Sequence, residues 1–230
     1  MSPMYGFFEL FDAITKIMPL KVVFLDCDGT LTTVKSSWEY LHRRLGLWDD
    51  NADEFQRLFR EGKIDYNEFC KRDALLWKGL SVERVMAVIR EIAYHEGAHD
   101  LVGWLHARGI FSVILSTGLS LLVERVKVEL GIGRALSNVL VARDGLLTGE
   151  INIHVQHDSK GHWVKRILGE LGVERSEAAA IGDGEGDRGM FESVGLAIGY
   201  NLRPDLLSLV DHVVYNGSLA AATEVLSLHS

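Results

Sequence analysis

Val22-Val23-Phe24-Leu25-Asp26-Cys27-Asp28-Gly29-Thr30-Leu31-Thr32 is the stretch on which the reading of this chain turns. It opens with apolar, mostly β-favouring residues and then meets two carboxylates spaced i and i+2. A short apolar run closed by polar residues and a glycine predicts a strand buried on both faces. Side chains two apart on an extended backbone point the same way, so Asp26 and Asp28 are expected to project together from the strand's C-terminal end. At ~4 Å and an effective dielectric of about 20, two such charges repel by roughly 4 kcal/mol. Three readings stay open for the pair: a solvated strand end, one carboxyl held protonated, or a cation between the two. Gly29 frees the backbone to turn and approach a ligand.

The 230 residues are 47% hydrophobic and 24% charged, which suits one globular domain or a core with a smaller second unit. Net charge is −8, from 32 acidic and 24 basic residues. A basic stripe is lacking, so nucleic acid is not an expected partner. Cys27 and Cys70 make no disulfide framework, and a reducing compartment, by default the cytoplasm, is expected. No run approaches the roughly eighteen apolar residues of a membrane span. The N-terminus lacks the basic start and cleavage site of a signal peptide.

Upstream of the strand, residues 1–21 read as a helical arm. Phe7, Phe8, Leu10, Phe11, Ile14, Ile17 and Met18 recur at helical spacing, and Pro19 ends the helix. Packing against the domain or a second subunit is expected, which leaves the arm or the insert described next as a homodimer surface. Membrane-surface attachment is disfavoured, because Lys16 and Lys21 are its positive charges.

Downstream, residues 34–96 are nearly all helical in pattern. Trp38, Leu41, Leu45, then Phe55, Leu58, Phe59, then Tyr66, Phe69, Leu75, Leu76, then Val82, Val85, Val88, Ile89 and Ile92 carry the periodicity, and Ser81 reads as an N-cap. This is long for a crossover, so it is an expected helical subdomain inserted after the first strand. From about Ala98, strands and helices alternate. A strand over 110–115 runs into Ser116-Thr117-Gly118, a hairpin surrounds Asp144-Gly145 and Gly149, and Lys160 opens a helix. A strand over 178–181 runs into Gly182-Asp183-Gly184-Glu185-Gly186-Asp187. The expected fold is α/β: a doubly wound, Rossmann-like parallel sheet over 22–33 and 97–230 with a small α-helical cap over 34–96.

Ligands in such a sheet sit at the strands' C-terminal ends, and each polar patch follows a strand or opens a helix. Asp26/Asp28, Ser116-Thr117, Lys160 and Asp183/Asp187 therefore converge on one crevice. Several acids in one cleft call for a hard cation, and oxygen ligands indicate Mg2+. Hydroxyls, backbone N–H groups at a helix start and a lysine suit a phosphate. An aspartate beside such a cradle can attack phosphorus and form an aspartyl phosphate.

These patches resemble the four motifs of the haloacid dehalogenase superfamily, in its phosphoserine-phosphatase-like branch, and the helical insert resembles that branch's cap. The resemblance implies a Mg2+-dependent phosphomonoesterase acting on a small phosphorylated molecule. Asp26 would be the nucleophile and a metal ligand. Asp28 would be the proton carrier, with its backbone carbonyl on the metal. Ser116, Thr117 and Gly118 would hold phosphoryl oxygens with Lys160, Asp183 would complete the metal site, and Asp187 would act through water or Lys160. Tyr66 stands at a position that faces substrate in that branch. The fourth motif departs, with Glu185 and Gly186 where a small residue and a phosphoryl-holding Asn are usual. The cap departs more. Lys35 falls where a Glu would hold the substrate amine, and Asp73 where an Arg would hold its carboxylate. Phosphoserine could bind flipped between them, or Lys35 and Asp73 could pair and leave a pocket for another substrate. Lys71 and Arg72 could hold anions instead. These departures keep a second reading open, a non-catalytic or regulatory member that binds a phospho-ligand. Phosphotransfer to an alcohol is a third.

Two further signals are set aside. His95-Glu96-Gly97-Ala98-His99 has zinc-protease spacing, but a glycine interrupts the helix that chemistry needs. Gly184 to Gly189 matches a dinucleotide fingerprint, yet its variable positions hold acids that would repel pyrophosphate. His154, His157 and His162 are expected to line a loop near the cleft.

Overall fold

The computed structural model describes residues 19–47 and 50–229; the helical arm expected over 1–21 lies almost wholly outside them. Strand β1, Val22–Leu25, is fully buried and pairs in parallel on both sides. Its neighbours are β2, Phe111–Leu119, and β5, Ala178–Gly182. The period-2 alternation of β1 splits it between two cores. Val23 and Leu25 join one apolar cluster. Val22 and Phe24 join the other, with Val164, Ile167 and Leu168.

The sheet has seven strands in the order β4-β3-β2-β1-β5-β6-β7. All neighbours are parallel except β3, Arg134–Arg143, with β4, Leu146–Asn152. Strands β6, Leu196–Tyr200, and β7, His212–Val214, complete the other side. Strand order reverses around β1, which puts the switch-point crevice at Asp26 and Asp28. The α/β expectation is met.

The insert contains α1 (Ser37–Arg44), α2 (Asp50–Arg60), α3 (Tyr66–Leu76) and α4 (Val82–Ile89). Three have side-chain N-caps: Ser36 accepts from Glu39 N–H, Asp65 from Glu68 N–H and Ser81 from Arg84 N–H. The insert's two ends run side by side, with Thr33 N–H donating to Ala93 O and His95 N–H to Leu31 O. Its apolar residues, including Trp38, Leu41 and Trp77, belong to the same cluster as Leu25 and Ile114 of the sheet. Helices α5 (Ala98–Ala107), α6 (Ser120–Leu130), α7 (Lys160–Leu171), α8 (Arg188–Phe191) and α9 (Ala222–Ser227) flank the sheet. No helix among the described residues is long and apolar enough to cross a membrane.

Two elements differ from expectation. Strand β2 runs on through Ser116-Thr117-Gly118 to Leu119, because β3 pairs in parallel on both sides of that stretch, at Leu115 with Leu136 and at Leu119 with Asn138, with the register shift falling between them. Gly149 lies within β4 instead of in the turn, at φ 84. The turn is Asp144-Gly145, with φ of 50 and 77, the conformation that a two-residue hairpin requires. The hairpin tip is joined to the insert. Gly79 N–H donates to Leu147 O and Leu147 N–H to Leu80 O, each at 2.8 Å, and Val82 N–H donates to Gly145 O at 2.9 Å.

Candidate active site

The parity that sends Phe24 into the α7 core carries Asp26 to the same side, where Lys160 opens α7. Lys160 Nζ donates to Asp26 Oδ1 at 2.5 Å and to Asp187 Oδ1 at 2.6 Å. All three side chains are buried. The close approach of α7 to α8 depends on Gly161, where a Cβ would sit 2.6 Å from Gly189 O. Asp187 Oδ2 accepts from Asp183 N–H at 3.0 Å and Gly184 N–H at 3.1 Å, so Asp187 holds both the lysine and the loop after β5. Asp183 accepts from Thr30 Oγ1 at 3.2 Å and from Lys35 Nζ at 2.6 Å. Gly29 has φ 83 and would press a Cβ to 2.4 Å from Asp183, which accounts for a glycine at this turn.

Asp28 has different surroundings. Its Oδ2 accepts from Ser37 N–H at the start of α1, at 2.6 Å, while the buried Oδ1 has no protein hydrogen-bond partner. Burial raises the carboxyl above the ordinary range, against the lowering pull of the Ser37 N–H. Burial also raises Asp26 well above that range and outweighs the opposing Lys160 charge. Asp183 is raised as well, first by burial, with Lys35 pulling it down. For Lys160, burial disfavours the charge, but Asp187 and Asp26 outweigh it and the ammonium is held more firmly than usual.

Asp26, Asp183 and Asp187 each present a carboxylate oxygen within 4.8 Å of the others. Asp187 commits its two oxygens to Lys160 and the loop N–H groups, which leaves Asp26 and Asp183 as the carboxylates of this all-oxygen set available to a hard divalent cation. With Asp28, four carboxylates face the two ammonium groups of Lys160 and Lys35, so the cleft has room for further positive charge. Ser116 is buried and its Oγ accepts from Gly118 N–H at 3.0 Å. A Cβ on Gly118 would lie 2.9 Å from Asp28 Oδ2. Asp26, Asp28, Ser116, Gly118, Lys160, Asp183 and Asp187 are therefore brought to one crevice.

Thr117 faces the insert through its backbone. Its carbonyl accepts from Trp38 Nε1 at 3.2 Å, Tyr66 Oη at 3.0 Å and Asn138 Nδ2 at 3.0 Å. A cavity of about 360 Å³ opens beside it, lined in part by Lys35, Tyr66, Phe69 and His157. Asp73 takes no part in that lining. It is 3% exposed inside the insert, 3.4 Å from His42 Nε2, because its turn of α3 packs toward α1. Lys35 is not paired with Asp73, one of the two arrangements left open above; it pairs with Asp183. Arg72 pairs outward with Glu68 at 2.7 Å. Of the three loop histidines, His157 alone lines the cavity, while His162 stacks edge-on with Trp163. His95 packs against Tyr200 and His99 against Tyr94, on either side of the Gly97 helix start, so they do not share a helix face.

Two supporting residues escaped the sequence reading. Ser37 fixes Asp28; its signal was the Ser36-x-x-Glu39 pattern, which places a helix start just after the first motif. Asn138 is buried in β3. It donates to Thr117 O and Val155 O and accepts from His154 N–H and Val155 N–H, all within 2.9 to 3.0 Å. Asparagine is a poor strand former, which was its signal. Asn138→Ala is expected to cost about 2–3 kcal/mol by leaving buried backbone groups unpaired. Urea unfolding of the variant checks this.

The likenesses to known proteins agree with this geometry. A phosphoserine phosphatase of Methanocaldococcus jannaschii is 29% identical over 192 residues, which cover 83% of this chain and 90% of that protein. One of Archaeoglobus fulgidus is 32% identical over 209 residues, covering 90% of this chain and 60% of that protein. A solved phospho-aspartyl intermediate analogue of phosphoserine phosphatase superposes with a TM-score of 0.78 at 27% identity, covering 90% of this chain and 99% of that one. A family model for haloacid dehalogenase-like hydrolases matches residues 23–192. Because that match begins inside β1 and runs past Asp187, it takes in all four patches, and the chain belongs to the haloacid dehalogenase-like hydrolases.

Proposed function

We propose that this chain hydrolyses small phosphomonoesters with Mg2+ through a phosphorylated Asp26. The observation that supports this best is the contrast between two aspartates leaving one strand end. Asp26 is clamped by Lys160, whereas Asp28 is turned to Ser37 with one buried oxygen unpartnered. Two carboxyls kept in different environments suit two different roles.

Lys160 occupies Asp26 Oδ1, so Oδ2 is the oxygen free to attack phosphorus. The Asp26 O–P bond forms as the ester P–O bond breaks, and Asp28 gives its proton to the departing alkoxide. Asp28 then takes a proton from water as that water attacks the same phosphorus. The Asp26 O–P bond breaks, and phosphate leaves. Lys160 balances the anionic charge of Asp26 and the phosphoryl group throughout, and Asp187 holds Lys160 in place. Held by Asp26, Asp183 and the Asp28 carbonyl, Mg2+ would supply charge stabilisation for the phosphoryl oxygens. Ser116 and the N–H groups around Gly118 would hold those oxygens. The unpaired Cys27 and Cys70 suit a reducing, cytoplasmic setting.

Purified protein with Mg2+ is expected to hydrolyse p-nitrophenyl phosphate, to lose that activity with chelator, and to trap fluoroberyllate on Asp26. Absence of both turnover and trapping would leave the phospho-ligand-binding reading, which Gly186 motivates. Gly186 also offers a gain-of-function test. A Cβ there would meet nothing closer than His157, at 3.7 Å. Gly186→Asn therefore has room to supply the missing phosphoryl contact. It is expected to raise kcat by about tenfold, the scale of one hydrogen bond to a charged group. Steady-state kinetics on the same ester checks it.

A further inference from the structure

The cavity under the insert has a wall of joined rings. Phe59 and Phe69 stack at 5.2 Å with 17° between planes, Trp38 lies 6.3 Å from Phe69, and Tyr66 meets Phe59 at 5.8 Å. Lys35 and Arg60 also line it, and no Asp or Glu does among the described residues. An ammonium group entering here would need strong acceptors. Among the lining residues, Thr117 O already accepts three hydrogen bonds, and Gln56 Oε1 accepts from Arg60. Asp73 is sunk beside His42. A buried ammonium without an acceptor is strongly disfavoured, whereas a flat apolar group would gain contact with the rings. A second anion would meet Lys35 and Arg60.

From this lining we propose that the cavity selects phosphomonoesters whose alcohol part is flat and apolar, carries a second anionic group and lacks an ammonium. The inference rests on the phosphatase reading above, with the phosphoryl group at Asp26 and the alcohol part in the cavity. Lys35 connects the two places, since it lines the cavity and reaches Asp183. O-phosphoserine, which brings an ammonium and no ring, is a poor match.

The test compares esters with the same kind of leaving group, so that recognition is separated from alkoxide basicity. The set is 2-phenylethyl phosphate, ethyl phosphate, 4-(2-phosphooxyethyl)benzoate and O-phosphoserine. The phenyl group is expected to raise kcat/KM over ethyl phosphate by at least about tenfold. The added carboxylate is expected to raise it about threefold more, a gain lost in Lys35→Gln or Arg60→Gln. In Phe59→Ala, or in Phe59→Leu, which keeps more of the volume, the phenyl-to-ethyl ratio should fall toward one. O-phosphoserine turned over as well as 2-phenylethyl phosphate, or no gain from the ring, overturns the proposal. If p-nitrophenyl phosphate and every alkyl ester stay intact, the phosphatase reading fails, and calorimetry decides the cavity separately. Binding of 3-phenylpropylphosphonate at least about tenfold tighter than propylphosphonate, with Mg2+ present, supports it; equal binding overturns it.

Discussion

Asp26→Asn is expected to abolish turnover, by about 10^4-fold or more, while the chain stays folded. The loss of a nucleophile that acts with its partners as one unit costs the whole covalent route. The fold should tolerate the change. The amide keeps the volume of a buried side chain whose charge burial already disfavours, and Lys160 retains Asp187 at 2.6 Å. Circular dichroism and urea unfolding check the fold. Single-turnover assays and fluoroberyllate trapping check the chemistry. Residual activity above a tenth of wild type would contradict the role given to Asp26, because even a general acid or base contributes about a hundredfold.

Lys160→Met should be worse for stability than for any other property except turnover. The lysine is 2% exposed and lies between two buried carboxylates. Removing the shared partner leaves both uncompensated, a change that costs about 3–5 kcal/mol. The pH dependence has a definite sign. Burial already raises the Asp26 carboxyl in the folded chain, and Lys160 is the leading influence that lowers it. Without Lys160 the folded-state pKa rises further above its unfolded value. A carboxyl raised in this way binds its proton more tightly when folded, so stability falls as pH rises from the unfolded toward the folded pKa. The variant's deficit should therefore be larger at pH 8 than at pH 5. Urea midpoints of wild type and variant at the two values measure it. A deficit independent of pH would mean that Lys160 acts through packing of its alkyl stem.

Much of this site was legible before any coordinates. The apolar run Val22 to Leu25 places Asp26 and Asp28 at a strand end. The strand–helix alternation from Ala98 onward brings Ser116, Lys160 and Asp183 to the same edge. Topology performs that convergence, because parallel strands all end on one side. The insert was legible as helices but not as contacts. Asp73 falls on the face of α3 that packs toward α1, and Lys35 lies beside Asp183, 148 residues away. Both outcomes depend on how the helices seat on the sheet, and helical periodicity is silent about that. Asn138 was missed for a similar reason. Its bonds join β3 to Thr117 in the irregular part of β2 and to the loop at Val155, and neither partner is recognisable from a strand's own pattern.

The sequence by itself therefore determined the α/β core, the order of the four patches and the chemistry they can support. These follow from local periodicity and from the few ways in which strands and helices alternate. Only the tertiary structure decided the separate surroundings of the acids. Lys160 joins Asp26 to Asp187, and Ser37 draws Asp28 away to the start of α1. Spacing along the chain leaves Asp26 and Asp28 equivalent. They become different because burial magnifies whichever charge or N–H the fold brings within hydrogen-bond distance of each.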